Sequence, residues 1–374
     1  MDDNSLPVPV LNQTINDTTL KTQSQVEKAL FEEIAQLRSK TEKIEIPQEL
    51  RAKIETMLER LERSARLGGY SEEYEKIAHY IDWVATLPWK NKSEDFLDLN
   101  RTREVLEKHH FGLLEVKERI LEYVSILKLK SAKAAGQPVK APILLLVGLV
   151  GTGKTTFAYS LAESLGRKIV RIPFGGMGSA RDLRGQSRLH LESEPGLVIK
   201  GMRQAGVKNP VILLDEIDRV GAEARNDIMG VLVELLDPGQ NFAFTDHYID
   251  YPFDLSEVIF IATANNTQNI ATAVYDRLEQ ITMPSYTDEE KIEIGRKYLL
   301  PKALEDSGLT TENVVIDEPV WPSVVRPLGF DSGIRTLERT IKNMCGKIAK
   351  EIVEKGVTSV HITTETMKTY LPQY

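Results

Sequence analysis

One segment of the 374-residue sequence constrains its fold more than any other: Gly148-Leu149-Val150-Gly151-Thr152-Gly153-Lys154-Thr155. It fits G-x-x-x-x-G-K-[ST], follows the apolar run Ile143–Val147 and precedes a stretch of helical spacing over 156–165. Strand, glycine-rich turn and helix in that order form a phosphate cradle. The glycines let successive backbone N–H groups wrap the anion, and the helix N-terminus adds its dipole. Further apolar runs at 169–172, 211–214 and 258–262 alternate with helical stretches. Such alternation predicts βαβ units, a parallel sheet and hence an α/β P-loop fold.

The chemistry of a phosphate cradle assigns roles to its neighbours. Lys154 is expected to reach the β- and γ-phosphates of ATP, and the Thr155 hydroxyl to ligate Mg2+. The acidic pair Asp215-Glu216 closes the run 211–214, a costly place for carboxylates without a task. Asp215 suits the Mg2+ shell, and Glu216 suits polarising a water for in-line attack. The run 258–262 leads into Thr263-Ala264-Asn265-Asn266, where an amide at a strand tip can orient that water. On spacing alone Arg277 and Arg335 read as solvated arginines, which only a ring or lid geometry would promote.

Outside this region the texture is helical. Residues 1–24 are polar and aperiodic and read as a disordered tail. Over 25–98, stripes at helical spacing (Val26, Leu30, Ile34, Leu37, then Leu50, Ile54, Leu58, Leu61) predict a helical arm or short coiled coil broken at Pro47. Residues 99–286 form the nucleotide-binding domain. Thr287 opens a capping box with Glu290, and helical segments at 288–307, 318–326 and 333–355 predict a helical lid over 287–374 with no further strand-length run.

Lys plus Arg is 47 and Asp plus Glu is 55, and the resulting net charge of −8 argues against nucleic acid as the main partner. The single Cys345 excludes an internal disulfide framework and reads as a small buried hydrophobe. No basic, apolar leader opens the sequence, and no apolar run nears the roughly 20 residues of a membrane span. The expectation is a cytoplasmic protein without a membrane partner, and a mitochondrial origin is disfavoured because no transit segment is seen.

Other motifs stand in line with these. They are Tyr80-Ile81-Asp82-Trp83, Leu87-Pro88-Trp89, His110-Phe111-Gly112-Leu113 and Lys117-Glu118-Arg119-Ile120-Leu121-Glu122-Tyr123. Further on come Leu236-Asp237-Pro238-Gly239-Gln240-Asn241, Phe244-Thr245-Asp246-His247-Tyr248-Ile249, Phe260-Ile261-Ala262-Thr263-Ala264-Asn265 and Ser332-Gly333-Ile334-Arg335-Thr336-Leu337-Glu338-Arg339. In this colinear order, over about residues 30–374, the sequence resembles the ATPase module of Lon, the AAA+ ATP-dependent protease. The resemblance implies a hexameric ring that hydrolyses ATP with Mg2+ and pulls protein substrates through a central pore. It implies that Asn265 is the sensor-1 residue and that Arg277 is a finger reaching the γ-phosphate of the adjacent subunit. It further implies that Arg335 is the lid's sensor-2 arginine, and that Phe111 and Gly112 lie at the adenine pocket.

Departures from the family pattern bear on function. In Lon a substrate-recognition domain precedes the helical arm, and a Ser–Lys protease domain begins about where Tyr374 stands; Ser359 and Lys368 do not read as its dyad. The cradle has Gly-Leu-Val-Gly in place of Gly-Pro-Pro-Gly. The loop 184–196 has His190-Leu191 where the family places an aromatic-aliphatic pair that grips substrate, with Glu192 and Glu194 following. The sequence therefore reads as a ring ATPase that remodels, unfolds or translocates proteins in support of proteolysis and quality control. Two alternatives stay open. One is the ATPase part of a serine protease whose peptidase is on another chain or truncated. The other is a nucleotide-switched scaffold or nucleic-acid-associated ring.

Overall fold

In a computed structural model the chain is described over residues 30–66, 72–133, 141–190, 192–326 and 333–371. The expected tail 1–24, the stripe residue Val26 and Leu191 lie outside the described residues. The chain divides into two compact units. One takes the residues up to Lys92 together with Arg184–Lys208 and Thr245–Phe253. The other takes Ser93–Leu183, Asn209–Phe244 and Asp254–Tyr374. Among the described residues no helix is long and apolar enough to cross a membrane.

In the first unit, residues 30–42 are helical, followed by the helices Gln48–Arg66 and Glu72–Thr86. The apolar stripe sets the packing as its spacing predicts. Leu30, Ile34, Leu50, Ile54, Leu58 and Leu61 are all buried. Arg38 links the first two helices through Glu55 at 2.8 Å and Glu62 at 2.7 Å. The loop 184–196 joins this unit, and its stem is tied by Asp246. That carboxylate is fully buried and accepts from the backbone N–H groups of Gly196 at 2.7 Å, Tyr248 at 2.8 Å and Ile249 at 3.1 Å. Burial raises the Asp246 pKa above the ordinary aspartate value, and the three N–H donors oppose that shift.

The second unit is built on a parallel sheet of strands β1 (Ile143–Val147), β2 (Ile169–Pro173), β3 (Val211–Asp215), β4 (Ile259–Ala264) and β5 (Leu278–Thr282). Their spatial order is β2-β3-β4-β1-β5. The three central strands are almost wholly apolar and buried because a parallel sheet is covered on both faces. The apolar runs identify four of the five strands. The fifth, β5, is an edge strand reading Leu-Glu-Gln-Ile-Thr, of which only Ile281 is buried, so it has no apolar run to reveal it. The helices Leu99–His109, Leu114–Lys133 and Lys154–Leu165 supply apolar side chains to the core beneath the sheet.

The lid opens at Thr287 with the expected capping box. Its hydroxyl accepts from Glu290 N at 3.2 Å, and Glu290 Oε2 accepts from Thr287 N at 2.9 Å. Helices Asp288–Ile294, Leu300–Asp306, Trp321–Val325 and Arg335–Lys355 follow. The lid also holds two short parallel strands, β6 (Val314–Ile316) and β7 (Val360–Ile362). Three residues each are too short to show a strand pattern in the sequence. Cys345 is buried in the lid core among Leu337, Ile341 and Met344, and burial pushes its thiol up to about 11.

Candidate functional site

The site forms where β1, β3 and β4 end together, because register places their C-terminal residues side by side. Val147 pairs with Ala264, and β3 lies against β4 over Val211–Leu214. The loop leaving β1 is pinned by Gly148 N donating to Ala264 O at 3.2 Å. A Cβ at Gly148 would sit 2.5 Å from the Met283 carbonyl oxygen, so only glycine fits this close approach. Gly151 and Gly153 take φ of 84° and 94°, the left-handed turn that brings the chain into the helix Lys154–Leu165. Thr152 Oγ1 closes the turn on Leu149 O at 2.9 Å. Leu149 and Val150 occupy its exposed crest.

Lys154 is 7% exposed, and its Nζ donates to Gly148 O at 2.6 Å, Leu149 O at 2.9 Å and Asn265 Oδ1 at 3.0 Å. Burial lowers its pKa, while the carboxylates of Asp218, Glu216 and Asp215 act to raise it and Arg335 adds to the lowering. The charges that the sequence places apart are thus gathered around one ammonium. Asn265 faces it with its oxygen, while its Nδ2 is buried with no hydrogen-bond partner among the described residues. A buried donor left without an acceptor is rare in a native fold. Beside the P-loop lysine it fits a phosphate or water oxygen.

Asp215 ends β3 almost fully buried. Its Oδ1 accepts from Thr155 Oγ1 at 3.2 Å and Thr263 Oγ1 at 2.6 Å. Its Oδ2 accepts from Arg171 Nε at 2.7 Å and lies 2.6 Å from Arg171 Nη2. Hard oxygens from a threonine and an aspartate suit Mg2+, which takes few protein ligands and completes its shell with water and phosphate. The described residues contain no cluster of three or more His, Cys, Asp or Glu able to cage a metal. Thr155 and Asp215 are the residues that would hold it.

Glu216 is turned off the strand by a left-handed backbone, φ 59° and ψ 51°, unusual for a residue with a side chain. Thr263 Oγ1 fixes this turn by accepting from Glu216 N at 2.8 Å. The Glu216 carboxylate lies 3.5 Å from Arg219 Nη1.

Arg335 opens its helix over the cradle. Ile334 N donates to Gly151 O at 3.1 Å, and a Cβ at Gly151 would lie 3.5 Å from Arg335 Cγ. Phe111 packs on the core with Lys297 Nζ 5.7 Å from its ring centre, and a Cβ at Gly112 would lie 3.0 Å from Glu290 Oε1 of the lid. Arg277 is bound elsewhere: Nη1 donates to Ala273 O at 2.5 Å and Nη2 to Asp237 Oδ2 at 3.1 Å. The Gly239 N–H, then Arg277, hold Asp237 below the usual aspartate value. His190 belongs to the other unit, where it is exposed and lines a cleft of about 490 Å3 with His79, Glu75, Arg188, Glu194 and Tyr248.

Sequence reasoning missed Arg171, Thr263 and Asp218. Thr263 stands inside a motif already noted, one residue before Ala264-Asn265, but its hydroxyl acts across to the end of β3, donating to Asp215 Oδ1 and accepting from Glu216 N. Arg171 is the one charge in the short strand Ile-Val-Arg-Ile-Pro, but nothing in the sequence points to its partner. Asp218 follows Asp215-Glu216 by two positions, and its Oδ1 is buried without a partner among the described residues.

Fold and site together define a P-loop ATPase of the AAA+ class. The family model "ATPase family associated with various cellular activities" matches residues 144–286, and that of the Lon protease AAA+ ATPase lid domain matches 305–360. Within the class the chain resembles the AAA+ ATPase module of Lon protease. It is 44% identical over 346 residues to Lon protease 2 of Thermus thermophilus, covering 91% of this chain and 43% of that protein. To Lon protease of Lawsonia intracellularis it is 42% identical over 340 residues, 91% of this chain and 40% of the relative. To that of Desulforamulus reducens it is 44% identical over 322 residues, 86% and 39%. The chain therefore spans about two fifths of the length of these relatives.

Proposed function

We propose that this ATPase spends the γ-phosphate of ATP on moving or unfolding protein chains, as a cytoplasmic ring in the service of proteolysis. Glu216 accepts a proton from the attacking water. Asn265 Nδ2 orients that water or a γ-phosphate oxygen, and Lys154 compensates charge on the β- and γ-phosphates. Thr155 and Asp215 would hold Mg2+, which would offset charge developing on the phosphoryl oxygens. Arg335 reaches the nucleotide from the lid of the same chain, and Arg277 serves the site of a neighbour. Phe111 and Gly112 border the base. The observation that carries the catalytic part is the pair Lys154–Asn265, with an amide oxygen on the lysine and a buried amide N–H awaiting an acceptor.

For the mechanical part, the loop 184–196 grips substrate with His190 and Leu191. A His-Leu pair offers less rigid contact area than an aromatic, and Glu192 and Glu194 favour basic segments. Slow unfolding of stable substrates follows. The test is ATP-driven unfolding of a fluorescent reporter by the wild type and by His190→Tyr. The tyrosine variant should unfold it faster at similar basal ATPase. Equal unfolding rates for the two proteins would remove the loop from the mechanism and favour a nucleotide-switched scaffold. A peptidase co-purifying with Glu216→Gln would instead favour a protease whose peptidase lies on a separate chain.

A further inference from the structure

We propose that Arg171 is a positioning residue that makes divalent-cation binding at this site conditional on the nucleotide. The proposal rests on Thr155 and Asp215 as the pair that holds Mg2+. Arg171 reaches Asp215 because of strand register. It pairs with Leu213, and Pro173 pairs with Asp215, so Arg171 and Asp215 are diagonal neighbours on one face of the sheet. With strands about 4.8 Å apart and a rise of about 3.3 Å per residue, such positions lie roughly 8 Å apart, within reach of a long side chain.

The contact divides the carboxylate. Both Nε and Nη2 of Arg171 converge on Oδ2, at 2.7 and 2.6 Å. Oδ1 is left facing the Thr155 and Thr263 hydroxyls. One oxygen is therefore held by a fixed cation and the other is aimed at the metal position. The Asp215 side chain is 4% exposed and that of Arg171 is 49% exposed. A nearly buried carboxylate needs a counter-charge, and in the protein alone Arg171 provides it.

Two consequences follow from that one charge. With Asp215 already paired, a divalent cation arriving without nucleotide meets a nearly neutral aspartate–arginine pair, the Thr155 and Thr263 hydroxyls, and the Lys154 ammonium with the Glu216 and Asp218 carboxylates already acting on it. With nucleotide bound, the phosphates bring the negative charge that Arg171 has cancelled, and the cation is held. Removing the positive charge should therefore strengthen cation binding by the protein alone, on the order of tenfold for one solvent-screened unit charge nearby, and should shrink the gain that nucleotide gives.

The test is a Mn2+ titration of the whole chain, reading free Mn2+ by electron paramagnetic resonance, with and without ADP. Arg171→Gln keeps an N–H donor and removes the charge; Arg171→Lys keeps the charge. The glutamine variant should bind Mn2+ about tenfold more tightly than wild type without nucleotide, and the lysine variant should stay near wild type. Glutamine binding equal to or weaker than wild type, or glutamine and lysine behaving alike, overturns the proposal. Arg171→Met, a second neutral side chain of similar reach, takes its place if the glutamine variant does not melt cooperatively. Asp215→Asn is the control. If it leaves Mn2+ binding unchanged with and without ADP, the assignment of the metal pair itself fails, which is a separate result from the failure of Arg171.

Discussion

Lys154 keeps a charge where burial works against it, surrounded by two carbonyls, an amide oxygen and three carboxylates. The cradle is organised around this ammonium. Lys154→Ala should abolish nucleotide binding in a fluorescent-nucleotide titration, while Glu216→Gln should bind ATP and hydrolyse it at least ~10²-fold more slowly. Wild-type turnover by Glu216→Gln would displace it as the base. His110 makes a second claim at this scale. Its ring is stacked on Phe157 with centroids 3.6 Å apart and its Nε2 lies 2.9 Å from Ser160 Oγ. Burial pushes its pKa down to about 3 from 6.5. The unfolded chain takes up this proton first, so stability is full above about pH 6.5 and falls toward pH 3, by about 1.4 kcal/mol per unit. Denaturant midpoints measured from pH 7 to 4.5 should fall in wild type, and His110→Gln should flatten that limb. An unchanged slope would place the acid sensitivity elsewhere. Residues such as Asp215 and Glu216 were legible because they adjoin in sequence after an apolar run. Arg171 and Thr263 were not, because their roles exist only once strand register brings them beside Asp215.

Between elements, lid and cradle meet backbone against backbone. A Cβ at Gly333 would lie 2.4 Å from the Val150 carbonyl oxygen and 2.7 Å from Gly151 Cα. Neither neighbour is a flexible side chain, so Gly333→Ala must shift the lid or the loop. It should weaken nucleotide binding by roughly tenfold, the scale of a 1–2 kcal/mol steric penalty, and leave the lid core folded. Isothermal titration with ADP reads the first effect and circular dichroism the second; unchanged affinity would mean that the lid does not close on the nucleotide. At this scale the sequence revealed the elements that bury a continuous face: the three central strands, the stripe of Gln48–Arg66 and the Thr287 capping box. It concealed β5, β6 and β7, whose pairing depends on partners distant in the chain and whose own residues carry no strand-length apolar pattern.

For the whole molecule the question is how many chains make one working site. Arg277 is held by Asp237 and Ala273 of its own chain, and we propose that in the ring it serves the nucleotide of a neighbouring subunit. Arg335, whose helix begins over its own cradle, is proposed to work within one chain. This difference has a direct test, because a residue acting across an interface can be lent and one acting within a chain cannot. Arg277→Ala and Glu216→Gln should each be nearly inactive alone. When the two are mixed and allowed to exchange, ATPase activity should reappear, since a Glu216→Gln subunit still offers Arg277 to a neighbour with an intact Glu216. Mixing Arg335→Ala with Glu216→Gln should restore nothing. Recovery in the first mixture and none in the second is the result expected for a ring ATPase with a shared site. No recovery from Arg277→Ala with Glu216→Gln, or full activity of Arg277→Ala by itself, would contradict it.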